Sequence, residues 1–419
     1  MNDKNNKIFI AASLANGASF SMILPLLAPL IRHLKLSEIQ AGAMVSIGAL
    51  LMAISAIYIS KHQSKFSIFQ LLSLGFVGMA ITWGLFTTVL MYGLTTQVSL
   101  LILFVMLMTA RASTGVFMAM PQIALQSYVM TSSTDAKTRS RKMSKFGAFN
   151  SLGLILGPLL TTVFLYWGIL KPLWVAMIIL AAMSLIILFR FDKSSRVINA
   201  ELNEVDQKIL ENNNSKKSSM QKSEIEWNIK GCYPWLMLGF TLYLAIVTLN
   251  LTAGFYIQDR FLVSVEDVAV YFAQCSLIVG IALVFMQILI SKFLKWSLQR
   301  LLWVGLSCML VALTISLYTH HLRVFQFTYV LYGISVACLT PAFTTGAAQT
   351  APNQFQTKVA GWCTATQAIS FVVGPILSTG LYQINQNYPY YFLMIVMFIM
   401  MLFFGIQHNK MNAQLKFSE

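Results

Sequence analysis

The sequence predicts an all-α membrane protein with the major divisions of a duplicated bundle: twelve spanning helices in two six-helix bundles. Three observations lead there. The 419 residues are 57% hydrophobic and only 10% charged, whereas a soluble domain carries about 25% charged residues. Apolar runs of spanning length alternate with short polar loops along nearly the whole chain. Basic residues crowd into every second loop, the distribution that sets the orientation of a membrane protein.

A spanning helix needs roughly 20 mostly apolar residues. That window selects residues 8–31, 39–60, 67–91, 98–130, 145–168 and 172–191, then, past a polar stretch, 233–258, 266–291, 297–319, 324–350, 358–382 and 388–407. The plan is an N-terminal bundle over 1–191, a linker over 192–232 and a C-terminal bundle over 233–419. The fourth run is long for one span, so its ends project beyond the hydrocarbon. The linker is rich in Asn, Ser, Lys and Glu with no sustained apolar face, which reads as a tether. The first run is too long for the apolar region of a cleaved leader and is expected to stay as the first span.

With a cytoplasmic N-terminus, 23 of the 29 basic residues fall on the cytoplasmic side and five on the other. Without the linker the count is still 15 to five. Both termini are therefore expected in the cytoplasm, with the chain integral to a bacterial inner membrane. The net charge of +15 is spread over these loops and forms no basic domain, so no nucleic-acid partner is expected. The expected partners are the lipid bilayer and a small-molecule substrate, and the chain is expected to act as a monomer.

The five cysteines form no CxxC pair, and four lie inside apolar runs, as small buried hydrophobes do. No nucleophile–base pair or metal cluster is visible in the spans, and no GxxxxGK[ST] stretch is present. An enzyme, a cofactor and a metal site are therefore not expected, and energy must come from a gradient.

The fifth run, Phe146 to Leu160, carries Gly147, Gly153, Gly157 and Pro158. Gly153 and Gly157 share one helix face, where absent side chains admit a second helix, and Pro158 bends the helix because it lacks an N–H and crowds the preceding turn. A second Gly-Pro step stands at Gly374-Pro375 in the eleventh run. The halves match elsewhere: Ile59-Ser60-Lys61 resembles Ile290-Ser291-Lys292, and Arg32 and Glu38 resemble Arg260 and Glu266. Such pairs favour an internally duplicated transporter.

On these residues the chain resembles the major facilitator superfamily, in particular its twelve-helix drug/proton antiporter branch. The fifth-run glycines with Pro158 resemble the antiporter motif, although Leu159-Leu160 replaces the glycines that often follow. Arg111 with Gly115 resembles the fourth-helix motif. The loop after the second helix, Ala56 to Lys65, keeps its basic character but lacks the acid and both glycines of the family pattern. The resemblance implies export of an amphipathic organic compound (a drug, metabolite or siderophore) by alternating access, with protons as the coupling ion. An uptake symporter of the same fold and a non-transporting membrane sensor are the alternatives.

Arg111 is the one basic residue well inside a span. A charge there costs about 2.5–3.5 kcal/mol on insertion scales, so it should face protein or a wet cavity. It is expected to hold an anionic part of the substrate, to couple to a proton carrier, or to clamp backbone carbonyls. None of the 14 acids is centrally placed. Asp259 comes nearest, but it adjoins Arg260, and a surface ion pair between the two is expected. The neutral polar residues inside spans, Asn16, Gln122, Asn150, Asn250, Gln274 and Gln367, with Tyr256 as an aromatic wall, are the remaining candidates for a substrate site.

Overall fold

In the computed structural model the described residues are 3–61, 66–131, 149, 152–153, 156–191, 231–294, 296–350 and 356–416. Within them the chain is helical, and no strand occurs. The helices are α1 (Asp3–Ser21), α2 (Leu24–His33), α3 (Glu38–Lys61), α4 (Ile68–Thr95), α5 (Leu100–Thr131), α6 (Leu156–Leu165) and α7 (Lys171–Arg190). After the linker come α8 (Tyr233–Phe261), α9 (Val265–Leu289), α10 (Leu298–Tyr318), α11 (Leu322–Gln349), α12 (Gln356–Ile384) and α13 (Tyr388–Lys416). Eleven stretches are long and apolar enough to cross a membrane, with α1 and α2 together making the first. The shorter apolar helix α6 stands at the place of the fifth expected span. At 1.5 Å per residue, the 32 residues of α5 extend about 48 Å, longer than a hydrocarbon core of about 30 Å. Ile81, Leu101, Phe189, Phe285, Phe327 and Ile399 point outward around the assembly, as lipid-facing side chains do.

The first span is broken, which the apolar run alone does not reveal. Pro25 has no N–H to offer the turn before it, and the Leu26 N–H bonds to Ile23 instead of Met22. The Met22 carbonyl is thereby freed. Thr161 of α6 takes it up, Oγ1 to O at 2.9 Å. The partner of the glycine-lined fifth run is thus α1. A Cβ at Gly153 would lie 2.8 Å from the Ala18 nitrogen, and one at Gly157 would lie 2.6 Å from the Ala18 carbonyl oxygen. Gly147 and Asn150 lie outside the described residues.

The second half repeats this plan. Gly374 of α12 packs on α8, where its Cβ would meet Val247 Cγ1 at 3.0 Å. Gly115 of α5 rests on the Gly48 backbone of α3, and Gly333 of α11 rests on the Val279 and Leu283 backbone of α9. Gly75 of α4 faces Pro121 of α5, and Gly305 of α10 faces Leu339 of α11. The loops agree as well. Lys35 (φ 56°) and Leu262 (φ 53°) are left-handed, each two residues before a serine that caps the next helix. This places Arg32 opposite Asp259, one residue off the pairing of Arg32 with Arg260 expected from the sequence.

The two sets of helices meet where α2 packs on α8 and α9 and where α3 packs on α12. Small residues form the crossing points. A Cβ at Gly254 would lie 2.7 Å from the Ala28 methyl, and one at Gly42 would lie 2.5 Å from the Pro375 carbonyl oxygen. The principal contacts therefore join the halves of the helices far from the chain termini. Toward the termini, α1 packs on α7 of its own half, and a Cβ at Gly361 would meet nothing within 4 Å.

Candidate functional site

Arg111 projects from α5 one turn before Gly115, the glycine that lets α3 approach closely enough to bury it. It is 7% exposed, and its guanidinium carbon lies 5.3 Å from the centroid of the Trp83 ring on α4. This is a cation–π arrangement shielded from water. Arg111 Nη1 and Trp83 Nε1 are both buried without a hydrogen-bond partner. Arg32 forms salt bridges with Glu38 and Asp259, and among the described residues none reaches Arg111. The expectation that Arg111 faces protein rather than lipid holds. Among the described residues it donates no hydrogen bond to a backbone carbonyl.

Trp83 also walls a small cavity inside the first half, with a free volume of about 10 Å³, room for about one water. Asn16, Ser19 and Phe20 of α1 and Thr114 and Met118 of α5 line it with Trp83. Thr114 is one turn beyond Arg111, so the pocket and the guanidinium adjoin through Trp83. Gln122 is exposed one further turn along the same stripe as Thr114 and Met118, toward the face that carries the termini.

The candidates in the second half do not gather there. Asn250 is half-buried and donates from Nδ2 to the Ile246 carbonyl of its own helix at 2.7 Å. Gln274 Oε1 accepts from Gln326 Nε2 at 2.7 Å, joining α9 to α11. Gln367 is half-buried on α12. Tyr256 is fully buried. Its hydroxyl donates to the Ser316 carbonyl at 3.0 Å, lies 3.3 Å from Asn387 Oδ1, and its ring packs 4.4 Å from that of Tyr390. It sits in a packed aromatic core that also holds Phe325, Tyr329 and Tyr332.

A second polar site lies on the seam, away from the termini. Arg32 Nη2 reaches Glu38 Oε1 and Asp259 Oδ2, each at 2.8 Å, and Tyr382 donates to the same Asp259 oxygen at 2.7 Å. Four helices from both halves are tied in this way. The expected pair of Asp259 with Arg260 does not form. Arg260 turns instead to the carbonyls of Leu317 and Thr319, capping the end of α10. The reason is geometric, since neighbours on a helix point about 100° apart and only Asp259 faces α2.

The sequence matches the Major Facilitator Superfamily over residues 9–362 and, again, over 299–416. The chain belongs to that family. Among curated proteins none matches it in sequence. Solved major facilitator folds superpose along most of its length. A POT family transporter in complex with a thioalcohol-conjugated peptide has a TM-score of 0.68 at 15% identity, covering 97% of this chain and 96% of its own. A bacterial homologue of the human lysosomal transporter Spinster, inward-facing and occupied, has a TM-score of 0.66 at 13% identity, covering 90% and 81%. The nucleoside transporter NupG has a TM-score of 0.65 at 11% identity, covering 96% and 97%. Identities this low establish a shared fold. Family and fold together make the chain a membrane transporter and not an enzyme.

Proposed function

We propose that this major facilitator protein exports an amphipathic organic compound by alternating access, driven by protons. The two bundles, 1–191 and 233–419, would rock about the seam, with 192–232 as their tether. One observation carries this reading: the halves close on each other at the face away from the termini, where α2 packs on α8 and α9 and α3 packs on α12. The basic loops favour cytoplasmic termini in a bacterial inner membrane, so the side not closed by the seam would face the cytoplasm. Outward direction and proton coupling draw support from the resemblance of the fifth-span glycines and Pro158 to the antiporter motif; Gly153 and Gly157 pack on the broken first span.

The test is transport in oriented vesicles. Inverted vesicles with an imposed pH gradient should accumulate cargo taken from a metabolite extract, and collapse of the gradient should stop accumulation. Accumulation in right-side-out vesicles instead would make the protein an uptake symporter, and indifference to the gradient would end the antiport reading.

A further inference from the structure

We infer that the turn between α6 and α7 is a headgroup site for a zwitterionic phospholipid, with the lipid ammonium on the Trp167 ring and its phosphate on Lys171. The inference is independent of the transport reading. It begins from three aromatic rings at one helix end. Tyr166 and Trp167 are 88% and 60% exposed. Their ring centroids lie 5.7 Å apart at 90°, and Phe164 lies 5.8 Å from Trp167 at 42°. Two rings at right angles make an open corner, the element from which aromatic cages for ammonium groups are built. The turn that carries them is held by its own backbone. The Trp167 N–H bonds to the Phe164 carbonyl at 3.2 Å, that of Gly168 to Leu165 at 2.9 Å, and that of Lys171 to Gly168 at 3.0 Å. Gly168 has φ 129°, a conformation that residues with side chains rarely adopt. A Cβ there would lie 3.7 Å from Lys171 Cγ, so the Lys171 stem lies back over the residue that follows Trp167.

Position and charge select the ligand. Leu159, Val163 and Tyr166 follow one another at helical spacing and share one exposed stripe of α6. The opposite face holds Gly157 and Thr161, which pack on α1. An acyl chain laid along Leu159 and Val163 therefore ends at Tyr166 and Trp167, the residue types that stand where hydrocarbon meets water. A zwitterionic headgroup arriving there has a match for each of its charges. Its ammonium meets the indole face, and its phosphate meets Lys171. No acidic residue lies between Asp135 and Asp192 in the sequence, and among the described residues no salt bridge reaches Lys171. An anionic headgroup would use Lys171 alone and leave the ring corner without a cation. The duplicated half lacks the arrangement. With Pro172 set against Pro389, Trp167 and Lys171 correspond to Ile384 and Tyr388.

The experiment uses the purified full-length chain, stripped of lipid in detergent, with phosphatidylethanolamine, phosphatidylcholine and phosphatidylglycerol of matched acyl chains. Native mass spectrometry reads the affinity for the first lipid bound. The two zwitterionic lipids should bind about threefold more tightly than phosphatidylglycerol. Trp167→Leu keeps apolar bulk and removes the π face. It should weaken zwitterionic binding about 2- to 5-fold and leave phosphatidylglycerol unchanged. Trp167→Tyr, which restores a ring face, should recover most of that loss. Lys171→Gln should weaken all three lipids about 2- to 5-fold. If Trp167→Leu does not fold, the comparison of lipids and Lys171→Gln decide the matter. Phosphatidylglycerol binding as tightly as the zwitterionic lipids overturns the inference. So does an equal loss of all three lipids in Trp167→Leu, or no recovery in Trp167→Tyr, either of which marks a general anchor at the membrane surface. Unchanged binding in Lys171→Gln removes the phosphate contact and overturns it as well.

Discussion

Arg32 and Asp259 occupy matching positions in the two halves of the chain, and they bond to each other, Nη2 to Oδ2 at 2.8 Å. Each lies three residues before a left-handed residue, Lys35 or Leu262, and five before a capping serine, Ser37 or Ser264. The two positions stand face to face at the seam, and their opposite charges tie the two halves together. Glu38 shares the cation and Tyr382 shares the anion, so four helix ends meet in one network.

Loosening this latch should shift the balance of states. The side chains of Arg32 and Asp259 are 33% and 32% exposed, and pairs of that kind contribute up to about 1 kcal/mol after screening. Asp259→Asn should therefore raise the open fraction at that face between about 2- and 5-fold. Gly380→Cys is a suitable reporter, because a Cβ there meets only Ile39 at an ordinary 3.7 Å and lies in the seam. In a chain freed of its five natural cysteines, its labelling rate by a water-soluble maleimide should rise by that factor. An unchanged rate would show that the latch does not hold the seam.

Gly157→Ala should damage the protein where Gly361→Ala does not. A methyl at Gly157 meets the Ala18 carbonyl at 2.6 Å, whereas one at Gly361 meets nothing within 4 Å. Overpacking of this kind costs about 1–3 kcal/mol. Thermal unfolding should show a lower melting temperature for the first variant only, and vesicle flux should fall with it.

Tyr256→Phe separates core from cargo contact. The hydroxyl bonds to the Ser316 carbonyl inside a sealed aromatic cluster, so its loss should cost roughly 1 kcal/mol of stability. KM for a transported compound should not move. A tenfold rise in KM would return Tyr256 to the substrate site.

Thr161→Val tests the break in the first span. It removes the hydroxyl that answers the freed Met22 carbonyl and should destabilise the protein by about 1–3 kcal/mol. Thr162→Val is the control, because its hydroxyl only bonds back to Pro158 within its own helix. Comparison of the two melting temperatures checks the assignment.

The span pattern was legible because lipid imposes length and apolarity residue by residue, and these local demands need no partner. The partners themselves were not. Gly153 and Gly157 announce that something approaches closely, but only the fold identifies it as the α1 backbone, well over a hundred residues away. Arg260 beside Asp259 looked like its counter-ion, yet helix geometry sends the two in different directions. Trp83 carries no signal in the sequence, because a tryptophan within an apolar run looks like any other until Arg111 lies over it. Pro25 and Pro29 were a visible sign of the break between α1 and α2 that hydropathy alone conceals. Gly42 and Gly254 stand in apolar runs like any other glycines, and their role at the seam depends on the opposite half.

The seam also has a thermal consequence. Where Gly254 meets the Ala28 methyl and Gly42 meets Thr379 and the Pro375 carbonyl, the nearest touching groups are short. Little apolar area is laid bare at these points, so little heat capacity is exchanged. These two contacts should consequently add little curvature to the temperature dependence of interconversion.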